Sequence, residues 1–423
     1  MSRINKIQKV LKTKNVFGYL INEVTDNSYE QYYVKGLLET VRRINDTLDK
    51  VTVYIKNECD GKETVGEADF IVSHDISSSE ISSLCDGAIA KAKNVNNEMF
   101  ELVKGCGKKS AGYKALAETP DAILQNIAGI FFAETGENTK FNSLECFFKE
   151  KTVIAVNSSG VNLKKKTFEI NVEAIPSYYG ENVKTELYRM FKYDRVDYDK
   201  IREDAKNALS DVVKRGYAEK VKEIGSCDIL LRGENIYNLF DELISTYSYG
   251  AVYTDANLHK TGDDIQNDPY EKINLSLAKK SSSDFFDSDG VILKETKIIE
   301  DGKLASYYGT SRFAQYLGLE PTGDLPKIIL KAGKKSVSSL KKKPYIEIID
   351  LSGIQADVFA GYLGGEVRLA IYFDGKDYHP ISGFSFSTNI TDAINHMYFS
   401  KEKEQIMDYE GPKMIRIENV KIL

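Results

Sequence analysis

The stretch "DILLRGENIYNLFDELISTY", residues 228–247, passes from an apolar run into a helical pattern within a few residues. Its first part reads as a buried strand, Arg232-Gly233 as a turn, and the remainder as an amphipathic helix. Ile236, Leu239, Phe240, Leu243, Ile244 and Tyr247 recur at the spacing of one helix face. Glu234, Asn235, Asn238, Asp241 and Glu242 fall on the other face. Enzymes often place chemistry at such a junction. Glu234 and Asn238, one turn apart, offer oxygen to a hard cation. They read equally as a solvated face, with its acid favoured by the helix dipole.

Outward from this junction, strand pairs dominate. Asp301-Gly302 joins two β runs inside "SDGVILKETKIIEDGKLASYYG", and Asp374-Gly375-Lys376 joins "EVRLAIYF" to "YHPISGFSFSTNI". "TSRFAQYLGL" and "DAINHMYFSKEKEQ" read as helices, and "KMIRIENVKIL" as a closing strand. Toward the N-terminus, "VFGYLINEV" and "VTVYIKNE" are β-rich, and "YYVKGLLETVRRINDTLDK", 32–50, lies between them as a helical segment. Asp60-Gly61 marks a hairpin. "SSSEISSLCDGAIAKAKN" opens with serines before a glutamate, the signature of a capped helix. "ETPDAILQNIAGIFFAE" is another helix. "TVIAVNSSGVNLKKKTFEINVEAI" is a strand, a turn and a return strand. The polar helix 196–216 connects to the second half. The reading is α+β, in two domains. Residues 1–220 form a mixed N-terminal α/β domain, and 221–423 a domain of largely antiparallel sheets with flanking helices.

Bulk properties exclude several function classes. The 423 residues carry 57 basic and 63 acidic side chains, a net charge of −6, with no concentrated basic stripe carrying aromatics. That argues against direct nucleic-acid binding. The densest basic run, "KAGKKSVSSLKKK" at 331–343, has six lysines and no aromatic, and reads as a solvated loop. No apolar run approaches the ~18 residues that span a bilayer, so no membrane partner is expected. The basic N-terminal stretch has no apolar core behind it, so a cytoplasmic location is expected. Five cysteines, odd in number and widely spaced, form no metal or disulfide framework.

Motif searches return little. "KGCGKKSAG", 104–112, has Leu102 and Lys109 where a phosphate loop needs glycine and Ser or Thr. No G-x-G-x-x-G follows a strand, G-x-S-x-G is absent, and the four histidines (His74, His259, His379, His396) lie far apart.

Two stretches carry a family likeness. They are "DILLRGENIYNLFDELIS" and "SSSDFFDSDGVILKETKIIEDGKLASYYGTSRFAQYLGLEPTG", 281–323, with D-S-D-G-V, I-I-x-D-G, T-S-x-x-A-x-x-L-G-L and T-G in that order. The chain resembles the TldD/PmbA (TldD/TldE) family, long labelled "modulator of DNA gyrase", on its PmbA/TldE side. In that family TldD subunits are zinc peptidases with H-E-x-x-x-H at the start of this helix and a late cysteine. PmbA/TldE subunits lack the motif and pair with TldD. Carried onto this chain, the first histidine falls at Arg232, the glutamate at Gly233 and the second histidine at Tyr237. Residues 408–411 stand near the cysteine's place, and Cys227 is the last cysteine in the chain.

The resemblance therefore implies a member without metal, cofactor or catalytic residues. Its implied partners are a TldD-like zinc peptidase subunit or a second copy, and extended peptides. Glu234, Asn238, Tyr247, Tyr249 and Tyr253 are candidate groove-lining residues, with ordinary core edge as the alternative for the tyrosines. A hydrolase with a non-zinc site and a protein tied to gyrase modulation are the competing readings.

Overall fold

The computed structural model describes residues 2–221, 224–406 and 408–423. The N-terminal part contains α1 (Arg3–Leu11), β1 (Gly18–Val34), β2 (Leu37–Cys59), β3 (Lys62–Val72), α2 (Ser78–Ala92), β4 (Lys108–Gly112), α3 (Pro120–Ala133), β5 (Thr139–Asn157), β6 (Asn162–Tyr179), β7 (Lys184–Glu186), β8 (Arg189–Tyr193) and α4 (Tyr198–Gly216). The strands form one sheet in the order β3-β2-β1-β5-β6, with β4, β8 and β7 pairing in turn along the outer edge of β6. All pairings are antiparallel except β4 with β6.

Alternation along each long strand gives this sheet two distinct faces. One carries Ile21, Val51, Val53, Cys146, Phe148 and Val172, and packs under the helices in two apolar clusters. The other carries Asn22, Val24, Asp26, Lys149, Lys151, Val153, Lys165 and Glu169, and borders a large cleft. The capped helix expected after residue 77 is α2, in which Ser77 and Glu80 form a reciprocal capping box.

The helix expected across 32–50 is instead the end of β1 and most of β2. Leu37, Val41, Ile44 and Leu48 are spaced as on a helix, but Lys35 and Gly36 both adopt positive φ (51° and 84°). That pair makes a two-residue hairpin turn and sets Val34 against Leu37. Once the hairpin is set, continuous ladder pairing of residues 37–50 with β1 overrides local propensity. The Asp60-Gly61 hairpin is present, with φ of 51° and 74° and Cys59 facing Lys62.

In the second half, β9 (Glu219–Lys220) and β10 (Ser226–Arg232) lead into α5 (Glu234–Ser245). β10 pairs with Tyr345–Asp357 on one side and Met414–Ile422 on the other. Tyr345–Asp357 also pairs with Tyr362–Phe373, which continues through Phe384–Asn389 back to Met414–Ile422, closing a small barrel. A separate six-stranded sheet holds Leu275–Ala278, Thr296–Glu300, Lys327–Leu330 and Tyr409–Pro412 among its strands. The barrel, this sheet and the apolar stripe of α5 share one core. The expected helix in "DAINHMYFSKEKEQ" ends at Asn395. Met397–Phe399 then pairs with Met414–Ile422, because Met397 and Phe399 are buried as a strand's alternate residues. Among the described residues no helix is long and apolar enough to cross a membrane.

Candidate functional site

The β10–α5 junction is held by its glycine. Gly233 has φ 57° and ψ −128°, the backbone of the first central residue of a type II′ turn, which L side chains rarely adopt. A Cβ there would also come within 3.2 Å of Ile406 Cδ1. The glycine carbonyl accepts the Ile236 and Tyr237 N–H groups at 3.1 and 3.3 Å, so the helix starts without a side-chain cap. Burial of Ile236, Leu239, Phe240, Leu243 and Ile244 anchors the helix, each contributing roughly 1.5–3 kcal/mol of transfer free energy.

The three positions onto which the resemblance carries a metal motif are otherwise engaged here. Arg232 reaches Glu347 at 3.6 Å and Asp211 at 4.0 Å, in an ion network with Arg189, Lys214, Lys341 and Asp350. Its guanidinium has no lone pair to give a metal. Gly233 offers no carboxylate. Burial, reinforced by Asp241 and Asp408, pushes the Tyr237 phenol up to about 12, which keeps it neutral. Cys227, half-buried on β10, has its thiol pushed up to about 11, first by burial. Near the late cysteine's place, Asp408 pairs with Lys280 at 2.8 Å. Among the described residues, no three His, Cys, Asp or Glu side chains converge as a metal donor set. A tetrahedral zinc site needs three or four such ligands, and these residues do not fit one.

Asp408 and Lys280 connect this junction to the large cleft. The cleft, about 880 Å³, lies between the open sheet face and the loop 280–288. Lys165 bridges its two walls, donating to Asp284 at 2.6 Å and to the Phe286 carbonyl at 2.5 Å. The same loop forms a tight knot: Asp287 accepts the N–H groups of Asp289 and Val291, at 3.0 and 2.9 Å. Gly290, at φ 86°, lies so close to Val161 that a Cβ would meet it at 2.8 Å. This is the D-S-D-G-V stretch, packed against Val161 in the turn between β5 and β6. Burial and then Asp289 push the Asp287 carboxyl up to about 6.

The candidate groove residues do not assemble. Tyr247 is fully buried, its hydroxyl 3.0 Å from His259 Nδ1. Tyr249 is buried too and donates to the Glu320 carbonyl at 2.8 Å. Both are core side chains, the alternative reading offered for them, because the α5 stripe and the segment after it turn them inward. Tyr253 is partly exposed, but it packs against Phe313 and Tyr316 and donates to Glu98, away from the cleft lining. Glu234 is exposed and Asn238 half-buried; neither lines the cleft.

What sequence reading missed is the cleft wall itself: Lys149, Lys151, Lys165 and Lys192, with Asp284 opposite. The available signal was polar residues at alternate positions in "KEKTV" and "KKKTFEI". Alternation shows that such residues share a face, but not that the face borders a cleft.

Residues 224–423 match the model of the PmbA/TldA metallopeptidase C-terminal domain. The fold is similar to that of TldE from Thermococcus kodakarensis, with 16% identity, a TM-score of 0.81 and 99% of each chain covered. It is similar also to a candidate modulator of a DNA gyrase from Thermotoga maritima, at 14% identity and a TM-score of 0.80, again over 99% of each chain. A candidate modulator of DNA gyrase from Bacteroides thetaiotaomicron gives 15% identity and a TM-score of 0.78, over 99% of this chain and 97% of the other. The search of curated proteins gives no match.

Proposed function

We propose that the chain, whose residues 224–423 match the PmbA/TldA metallopeptidase C-terminal domain and whose fold is similar to that of TldE, is a TldE-like subunit without zinc chemistry. Its role is to hold extended polypeptide and to pair with a zinc-bearing TldD-like peptidase subunit or with a second copy of itself. The observation that carries this reading is the β10–α5 junction. The scaffold of the family's metal helix is retained, while Arg232 is engaged in an ion network and Gly233 has a backbone that a glutamate would strain. Both differences oppose metal binding, one through chemistry and one through conformation.

The peptide-holding half of the proposal draws on the cleft. An opening of about 880 Å³ beside the retained helix accommodates an extended segment of a few residues. Its floor is a sheet face with lysines, carboxylates and the apolar Val24, Leu48 and Val153 interspersed, a surface suited to varied side chains. Pull-down of the purified protein with a TldD-like subunit from the same source, scored by casein digestion, tests the pairing. Casein cleavage by the pair, abolished by chelator, is the expected result. Cleavage by this chain alone that survives chelator would instead favour a hydrolase with a non-zinc site.

A further inference from the structure

The outer edge of β2 is open over much of its length. β3 pairs with β2 only from Asp49 to Cys59, while β1 pairs with its inner edge from Leu37 onward. Residues 40–48 therefore have a partner strand on one side alone, between a bulge after Leu38 and the first rung of β3. The direction of the free backbone groups follows from the turn. The Asp60-Gly61 hairpin has two residues, so Cys59 and Lys62 exchange both backbone hydrogen bonds. Alternate residues back along β2 then turn their N–H and C=O toward β3. Beyond the end of β3, the same alternation aims those of Val41, Arg43, Asn45 and Thr47 outward. Among the described residues, only the Thr47 carbonyl finds a donor there, Arg3 Nη2 at 2.8 Å.

Such a row of unpaired groups is a template for another strand, and edges are commonly guarded by proline or by repelling charge. This edge has no proline, and its charges attract a copy of itself. Two copies of residues 40–48, laid antiparallel about a twofold axis at Ile44, set Arg42 against Asp46 on both sides of the axis. Ile44 meets Ile44 and Thr40 meets Leu48, all on the cleft face. On the other face Arg43 meets Asn45 and Val41 meets Thr47, the residues whose backbone groups point outward, so the ladder closes. The axis bisects the open stretch. Moving it by two residues sets Arg42 against Arg42 or Asp46 against Asp46, and moving it by one removes both Arg–Asp pairs.

The single chain leaves these groups available. Among the described residues, exposed Asp46 has neither an ion pair nor a hydrogen bond. Arg42, with its side chain 60% exposed, reaches Glu30 at 3.2 Å and keeps donors for a second carboxylate. The bulge lies where each copy's strand would otherwise run into the other's β3, and a bulge bends its strand. In this register Leu38 arrives beside Lys50, whose partner on β3 is Ile71; exposed Leu37, Leu38 and Ile71 are thereby brought together.

We propose that the open edge of β2, residues 40–48, is the surface through which two copies of this chain pair, antiparallel about Ile44, so that their sheets become one. The inference rests on the second-copy option of the pairing above and assigns it a surface; it does not depend on peptide holding.

The test is sedimentation velocity across a dilution series of the full chain and of two variants, Arg42→Glu and Asp46→Lys. The unsubstituted protein should be a dimer. Each variant sets like charges against each other on both sides of the axis, and its dimer should be weaker by about tenfold or more. An equimolar mixture of the two variants joins an acidic edge to a basic one and should recover the dimer. A monomeric unsubstituted protein would overturn self-pairing and leave pairing with a TldD-like subunit standing. A dimer that neither variant weakens would overturn this edge as the surface and leave second-copy pairing standing. Variants that are weakened alone and not restored by mixing would overturn the register about Ile44.

Discussion

Replacing Gly233 by alanine isolates the conformational part of the argument. The residue sits at φ 57°, ψ −128°, and an added Cβ would approach Ile406 Cδ1 at 3.2 Å. An L residue held in such a backbone costs about 1–3 kcal/mol. For a domain of this size each kcal/mol lowers the melting temperature by about 2–4 °C. Gly233→Ala should therefore lower Tm by roughly 2–12 °C, read by circular dichroism or calorimetry. Gly87 provides the control of opposite sign. It lies inside α2, where a Cβ meets nothing within 4 Å. Gly87→Ala should stabilise by about 0.4–1 kcal/mol by restricting the unfolded chain. A Gly233→Ala protein as stable as the parent would refute the claim that this backbone excludes the family's glutamate.

Three further outcomes are expected. The triple substitution Arg232→His, Gly233→Glu, Tyr237→His should not bind stoichiometric zinc in a colorimetric titration, because the backbone and the missing late ligand are not restored. Lys165→Met should destabilise by about 2–4 kcal/mol in urea unfolding, since it leaves the half-buried Asp284 without its cation; a change below about 0.5 kcal/mol would contradict the role of that ion pair as a tie between the cleft walls. Asp287 gives a pH signature. Its folded carboxyl titrates at about 6, above its unfolded value, so the folded state binds more protons between about pH 4 and 6. Stability conferred by this group is present below pH 4 and is lost as pH rises through 6. The difference is on the order of 3 kcal/mol. Asp287→Asn keeps an acceptor for the Asp289 and Val291 N–H groups and should flatten that part of the stability–pH curve; an unchanged slope would count against it.

Local signals were legible where one residue pair settles a turn or cap: the Asp60-Gly61 hairpin, the Ser77–Glu80 cap, and the apolar stripe from Ile236 to Ile244. They failed where tertiary pairing decided. Lys35-Gly36 carries no strong turn signature, and the apolar spacing after it mimics a helix until β1 claims the segment as a strand. The site divided in the same way. Arg232, Gly233 and Tyr237 were found by setting the sequence on the family's motif, whereas the strain at Gly233 needed φ and ψ. Tyr247 was legible as core from its place on the apolar stripe, whereas nothing local to Tyr249 distinguishes an inward from an outward ring. The β5–β6 hairpin behind the basic cleft wall was legible, but its pairing with β1, over a hundred residues away, is a register that no local pattern encodes.

Zinc content and mass of the purified, metal-exposed protein test the central claim most directly, measured alone and with a TldD-like subunit. The expected result is far less than one zinc per chain for this protein alone, and zinc in the pair accompanying the partner. One tightly held zinc per chain in the protein alone would contradict it.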